Sequence, residues 1–258
     1  MRLEALVEKI EKRSPLSLQE DWDNSGFQIK TGNPEIYRVL IALEISDAVI
    51  REAVDRKAEV IVTHHPMYFH PCKRITAEDI TGRWTMKLIQ KSISVYSIHT
   101  PFDKCDGGNN DYLGRVLHLH QLDRMEEDVS GFCRCGYVDG DCSIAEYIQQ
   151  IEDWLKMDVS YFRFVGDPAL KVEKVGLCTG AGAEFIPSAK AAGCDLFVTG
   201  DVKYHDARLA RDLDLNVLDL GHFGSEKIFV NNMSAYLREH TSLDIFESAV
   251  NLNPFTIL

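Results

Sequence analysis

The sequence predicts an α/β protein made of two similar three-layer lobes with mainly parallel sheets. Three observations carry that reading. Apolar β-branched runs alternate with segments of helical period, the pattern of strands buried on both faces and joined by helices. The second half resembles the first at an offset of 136 residues. Finally, a chain of 258 residues, 45% hydrophobic and 26% charged, has ordinary globular composition. At this length roughly 73% of the unfolded surface is buried on folding.

Taken in order, Leu3, Leu6, Val7 and Ile10 mark one face of an N-terminal helix. A strand follows at 39–45 (VLIALEI), then a helix capped by Ser46 or Asp47, and a strand at 59–65 (EVIVTHH). Next come a helix over 78–91, a strand at 93–99 (ISVYSIH), and a helix at 111–118 opened by Gly107-Gly108-Asn109-Asn110. The polar stretch near 119–131 breaks the rhythm and marks a boundary. Beyond it lie a strand (132–138), a helix opened by Ser143, a strand (159–165) and a turn at Gly166-Asp167-Pro168. KVGLCTG, a helix near 183–192, DLFVTG (195–200), LNVLDLG (215–221) and a helix over 225–239 resume the alternation. The expected lobes are 1–125 plus 222–258, and 126–221.

The repeat aligns 39–64 with 175–200 without a gap. Val39/Val175, Ala53/Ala189, Val62/Val198 and Thr63/Thr199 are identical. Strand–helix–strand units share such patterns by convergence. A second match favours duplication: His99-Thr-Pro-Phe-Asp103-Lys104 and His222-Phe-Gly-Ser-Glu226-Lys227 each follow a buried strand.

Charge and composition exclude several classes. The net charge of −12 argues against a phosphate-backbone binder, which needs a basic surface. No apolar run reaches the ~20 residues of a membrane span, and MRLEALVEKIEKR has no signal-peptide core. The chain is expected to be soluble and cytoplasmic, without a membrane partner. Its seven cysteines form no C-x-x-C pair and are expected to be reduced thiols. Cys133, Cys135 and Cys142 are a weak thiolate metal motif, because structural zinc sites pair two knuckles.

In open parallel sheets the ligand crevice lies beyond the carboxyl ends of the strands. His64 and His65 end one strand, His99 another, and His222 a third, with Asp103 and Glu226 each four residues past a histidine. A lone strand-end histidine is more often an ordinary hydrogen-bonded residue, and His70, His118, His120 and His240 are read so. The adjacent pair and the two carboxylates point instead to metal, since anions in a dry crevice need a cation. Mixed imidazole and carboxylate ligation suits Zn, Fe, Mn, Co or Ni. Gly176, Gly180 and Gly182 could cradle a phosphate, although GLCTGAG fits no phosphate fingerprint and a tight turn is simpler. Asn109 could cap its helix or touch substrate.

WDNSG (22–26), THHPMYF (63–69), HTPFDKCDGGNNDYLG (99–114), VTGDVKYHD (198–206) and GHFGSEK (221–227) occur in the order of one family. On these motifs the chain resembles the NGG-one-interacting-factor-three-like proteins, often called GTP cyclohydrolase type 2 homologues. The resemblance covers nearly the whole chain. It implies two divalent ions held by His64, His65, Asp103, His222 and Glu226, with the glutamate bridging, between lobes that face each other. His99 and His205 then become outer-sphere or proton-transferring residues. The internal repeat alone would make His99 a ligand. Asp23 and Asn24 become crevice-lining, substrate-binding candidates beside Asn109. The resemblance also implies a toroidal homohexamer, and a dinuclear metal-dependent hydrolase that opens the guanine ring of GTP. The same ligands serve phosphoesterases and amidohydrolases on other small-molecule substrates, and a non-enzymatic adaptor or metal chaperone would also carry them. Nucleic acid inside the ring fits the −12 charge poorly.

Overall fold

Leu3, Leu6, Val7 and Ile10 are all buried, so the first apolar stripe faces a core as its period requires. The computed structural model describes residues 1–257. Its elements form two compact units, 1–106 with 229–252, and 107–228 with 253–257.

The first unit contains α1 (Leu3–Arg13), β1 (Gly26–Ile29), β2 (Arg38–Ala42), α2 (Asp47–Asp55), β3 (Val60–Thr63), α3 (Ile80–Gln90), β4 (Ser94–Ser97) and the short α4 (Thr100–Lys104). The second contains α5 (Asn109–Val116), β5 (His120–Arg124), β6 (Arg134–Ser143), α6 (Ile144–Leu155), β7 (Arg163–Val165), β8 (Lys171–Leu177), α7 (Ile186–Ala191), β9 (Leu196–Thr199), α8 (Tyr204–Asp212), β10 (Asn216–Asp219) and α9 (His222–Glu226). α10 (Phe229–His240) and β11 (Asp244–Glu247) return to the first. Among the described residues no helix is long and apolar enough to cross a membrane.

In the first unit the strand order is β1-β4-β3-β2-β11. All its pairs are parallel except β1 with β4. β3 and β4 are buried at every position, as strands covered on both faces are. Ser46 caps α2 by accepting from the Val49 amide at 3.2 Å. β1 and β11 were absent from the sequence reading: each is four residues long and lies at a sheet edge.

The second sheet has order β5-β6-β8-β9-β10-β7. Here the expectation of a mainly parallel sheet fails. Only β8–β9 and β9–β10 are parallel, while β5–β6, β6–β8 and β10–β7 are antiparallel. The reason is visible in burial. β9 and β10 are fully buried, whereas β5 and β6 carry exposed positions, as strands of a one-sided antiparallel layer do. α6 begins at Ser143 as expected, and the structure adds a capping box in which Ser143 and Glu146 bond each other's amides.

The repeat is a repeat of register. Val39↔Val60, Leu40↔Ile61 and Ile41↔Val62 pair in the first sheet. Val175↔Leu196, Gly176↔Phe197 and Leu177↔Val198 pair in the second, each 136 residues on. One expectation shifts. Thr63 pairs with Ser97 and Thr199 with Asp219, so counting forward makes Gly221, not His222, the repeat equivalent of His99. The two H-x-x-x-acid motifs are therefore one residue out of step.

The unit bounds also differ from those expected. Leu113, Leu117 and Leu119 pack into the second core with Ile144 and Ile151, and β5 pairs with β6, which moves 107–125 into that unit. Ile228 belongs to the same core, while Phe229 packs on His64 and Phe102 of the first unit. The helix expected over 225–239 accordingly breaks at Lys227-Ile228, and His222 and Glu226 lie in the second unit.

Candidate metal and substrate site

β3 ends where the amides of His64 and His65 both donate to the Leu43 carbonyl, at 3.1 and 2.9 Å. That shared acceptor ends the ladder and brings two successive imidazoles together, with ring centres 5.1 Å apart. His99, just past β4, completes the group. Its ring centre lies 5.0 Å from that of His64 and 5.5 Å from that of His65. One ring nitrogen from each of the three lies within 4.8 Å of the others.

Each ring is oriented through Nδ1. His64 Nδ1 lies 3.1 Å from the Ile98 carbonyl, which only accepts, so the proton sits on Nδ1 and the lone pair on Nε2. His65 Nδ1 faces Glu44 at 3.3 Å, and His99 Nδ1 faces Asp23 at 2.9 Å. Carbonyl or carboxylate partners on the far nitrogen are the usual support of a metal-binding or proton-transferring imidazole. Asp103, buried on α4, brings Oδ1 to 3.5 Å from His64 Nε2.

Asp23 is built into the frame. Its Oδ1 accepts from the Asn24 amide and His99, and its Oδ2 from the Ser25 hydroxyl and the Thr100 amide and hydroxyl. Burial pushes its carboxyl up, but the bonds from His99, Thr100 and Ser25 outweigh this and hold it well below the usual carboxylate range. Asp23 thereby fixes the orientation of the His99 imidazole. Asn24 likewise braces two loops, its Nδ2 donating to the Tyr68 carbonyl at 2.6 Å.

In the second unit, α9 carries His222 and Glu226 one turn apart, with Nε2 and Oε2 3.0 Å from each other. Asp201, at the end of β9, holds His222 Nδ1 at 2.8 Å. Glu226 is buried and lies against Gly180, where an added Cβ would strike its carboxylate. The Gly180 amide donates to the Ser225 hydroxyl at 2.9 Å. Gly180 therefore makes room for a side chain. At Gly176 and Gly182 a Cβ would strike core side chains, so close packing, not a phosphate cradle, explains these glycines. Lys227 Nζ donates to the Leu155 carbonyl at 2.7 Å, and Lys104 pairs with Glu20.

The other expected residues lie on further elements of the second unit. His205 is exposed in the first turn of α8, edge-on to Tyr204. Asn109 is fully buried at the start of α5, and its neighbour Asn110 accepts from the Thr179 amide at 2.7 Å. Cys133 and Cys135 pack into one core cluster and Cys142 against another, and all seven cysteines remain thiols. They form no thiolate centre among the described residues. Glu44 and Asp201 carry no sequence signal of their own, although each follows the end of a strand, as His64 and His222 do.

Imidazoles and carboxylates without thiolate, anchored at Nδ1, fit a borderline divalent metal by donor chemistry. The class defined is a two-unit α/β protein with candidate metal-binding groups at its strand ends. Residues 1–254 match the DUF34/NIF3 (NGG1p interacting factor 3) family, and the chain belongs to it. It is 32% identical over 249 residues to the GTP cyclohydrolase 1 type 2 homolog of Clostridium perfringens, covering 95% of this chain and 94% of that protein. It is also 32% identical over 246 residues to GTP cyclohydrolase 1 type 2 of Helicobacter pylori (strain J99), covering 95% and 96%. The crystal structure of a Bacillus cereus protein related to NIF3 superposes with a TM-score of 0.93 at 22% identity, covering 100% and 99%, and shares the fold.

Proposed function

We propose that this chain is a metal-dependent hydrolase acting on a nucleotide, with opening of the guanine ring of GTP and release of formate as its reaction. The observation that carries the reading is the triad of imidazoles, His64, His65 and His99, gathered within 4.8 Å with Nδ1 of each facing an acceptor. The names of the clostridial and Helicobacter relatives support the substrate. His64, His65, Asp103, His222 and Glu226 are the residues that would hold two divalent ions. When bound, such ions polarise the bond under attack and lower the pKa of water towards neutrality. His99, its tautomer set by Asp23, holds or delivers a proton at Nε2, and His205 is a second candidate for that work. Glu44 and Asp201 keep His65 and His222 in orientation. A homohexameric ring is the proposed assembly, and light scattering of the purified protein tests it.

The activity test is formate release from GTP by protein refilled in turn with Zn, Fe, Mn, Co and Ni. The wild type is expected to release formate with at least one of them, and Asp103→Asn to lose turnover with an unchanged circular-dichroism spectrum. No formate with any refill would overturn the reading.

A further inference from the structure

Trp22 and Phe69 hold two large aromatic side chains 55% and 45% exposed, and they pack on each other with ring centres 6.0 Å apart. Two exposed aromatic rings packed on each other offer a flat apolar face to a ligand. Both rings also touch His99 edge-on, at 5.8 Å for Trp22 and 6.3 Å for Phe69. The aromatic pair therefore adjoins the imidazole triad within the same unit.

The pair is held in place before any ligand arrives. Trp22 sits in a turn closed by the Asp23 amide donating to the Glu20 carbonyl at 3.0 Å. Phe69 follows Tyr68, whose amide donates to Gln28 at 3.0 Å and whose carbonyl accepts from Asn24. Asn24 thus ties the loop that carries Trp22 to the loop that carries Phe69. Side chains fixed in this way lose little entropy on binding.

We propose that Trp22, braced by Phe69, is a stacking platform for the heteroaromatic ring of the substrate. The inference rests on the nucleotide reading of the site and names the residues that receive its base. The geometry limits how the base lies. The planes of Trp22 and Phe69 meet at 40°, and their 6.0 Å spacing is below the roughly 7 Å of a sandwich, twice the ~3.5 Å contact distance. The base therefore rests on an outer face of the pair, with its reacting edge towards His99. A flat π-system can stack on such a face, which a tripolyphosphate cannot do.

The test is binding, read separately from turnover. Guanosine, ribose 5-phosphate and tripolyphosphate are titrated into the purified protein while tryptophan emission is followed. Trp22→Phe supplies the background from Trp84 and Trp154. Guanosine is expected to quench the Trp22 signal, and the other two probes to leave it unchanged. By calorimetry Trp22→Ala should weaken guanosine roughly ten-fold or more, with Trp22→Tyr close to wild type. Phe69→Ala, read in parallel with a circular-dichroism check, guards against a Trp22 variant that misfolds. Equal guanosine affinity in wild type and Trp22→Ala, or no guanosine binding to the wild type, would overturn the proposal. Trp22-dependent guanosine binding without formate release leaves the platform standing and removes the cyclohydrolase reading. Formate release with an unchanged KM in Trp22→Ala does the reverse.

Discussion

His99 Nδ1 lies 2.9 Å from Asp23 Oδ1, and that carboxylate is itself held by the Asn24 amide. The pair couples the loop after α1 to the end of β4. Because a carboxylate on Nδ1 keeps Nε2 as the working nitrogen, Asp23→Asn should allow the wrong tautomer. The expected outcome is a kcat for GTP reduced about ten- to hundred-fold with little change in KM. An unchanged kcat would remove the orienting role.

Glu44 and Asp201 support His65 and His222 in the same manner. Glu44→Gln and Asp201→Asn should each weaken metal binding about ten- to hundred-fold, since such outer partners orient the ligand and raise its basicity. Competition with a chromophoric chelator measures this directly.

Gly180 has φ of +68° and abuts the Glu226 carboxylate. Gly180→Ala adds both left-handed strain and a clash with a buried acid. Thermal unfolding should show a loss of about 1–3 kcal/mol. Gly193 has φ of +72° with open space at its Cβ, so Gly193→Ala should show the conformational part alone.

Asp128 is a buried carboxylate through which pH reaches the second unit. Burial pushes its carboxyl up, but bonds from the Cys133 amide and from the hydroxyl and amide of Ser130 outweigh this and hold it below its usual value. A lowered folded-state pKa means that the charged form favours the fold. The stabilisation is present above the unfolded carboxylate pKa of ~3.9 and is lost as pH falls through the lower folded value. Asp128→Asn should therefore destabilise the protein at pH 7 and flatten the fall of the unfolding midpoint below pH ~4. A parallel fall in both proteins would contradict this.

Much of the first unit was legible because its central strands are buried on both faces, so residues 39–42 and 60–62 read as unbroken apolar runs. The 136-residue offset was legible for the same reason and survives as strand register. Illegible were the short edge strands β1 and β11, which have too few residues to show a period, and the antiparallel flank of the second sheet, whose β5 and β6 are half-exposed. Among the site residues, His64, His65 and His99 were found by their place at strand ends, and the structure gathers them. Glu44 and Asp201 obey the same rule but look like ordinary surface acids until the partner imidazole is in place. The orienting role of Asp23 is not legible in the sequence, because its five bonds come from residues next to it and from others more than seventy positions away.

The central claim is that these imidazoles and carboxylates hold divalent metal. Elemental analysis of the purified wild type beside His64→Ala tests it most directly. Two divalent ions per chain are expected in the wild type, with a clear loss in the variant. Fewer than one ion per chain in the wild type after refilling would contradict the account.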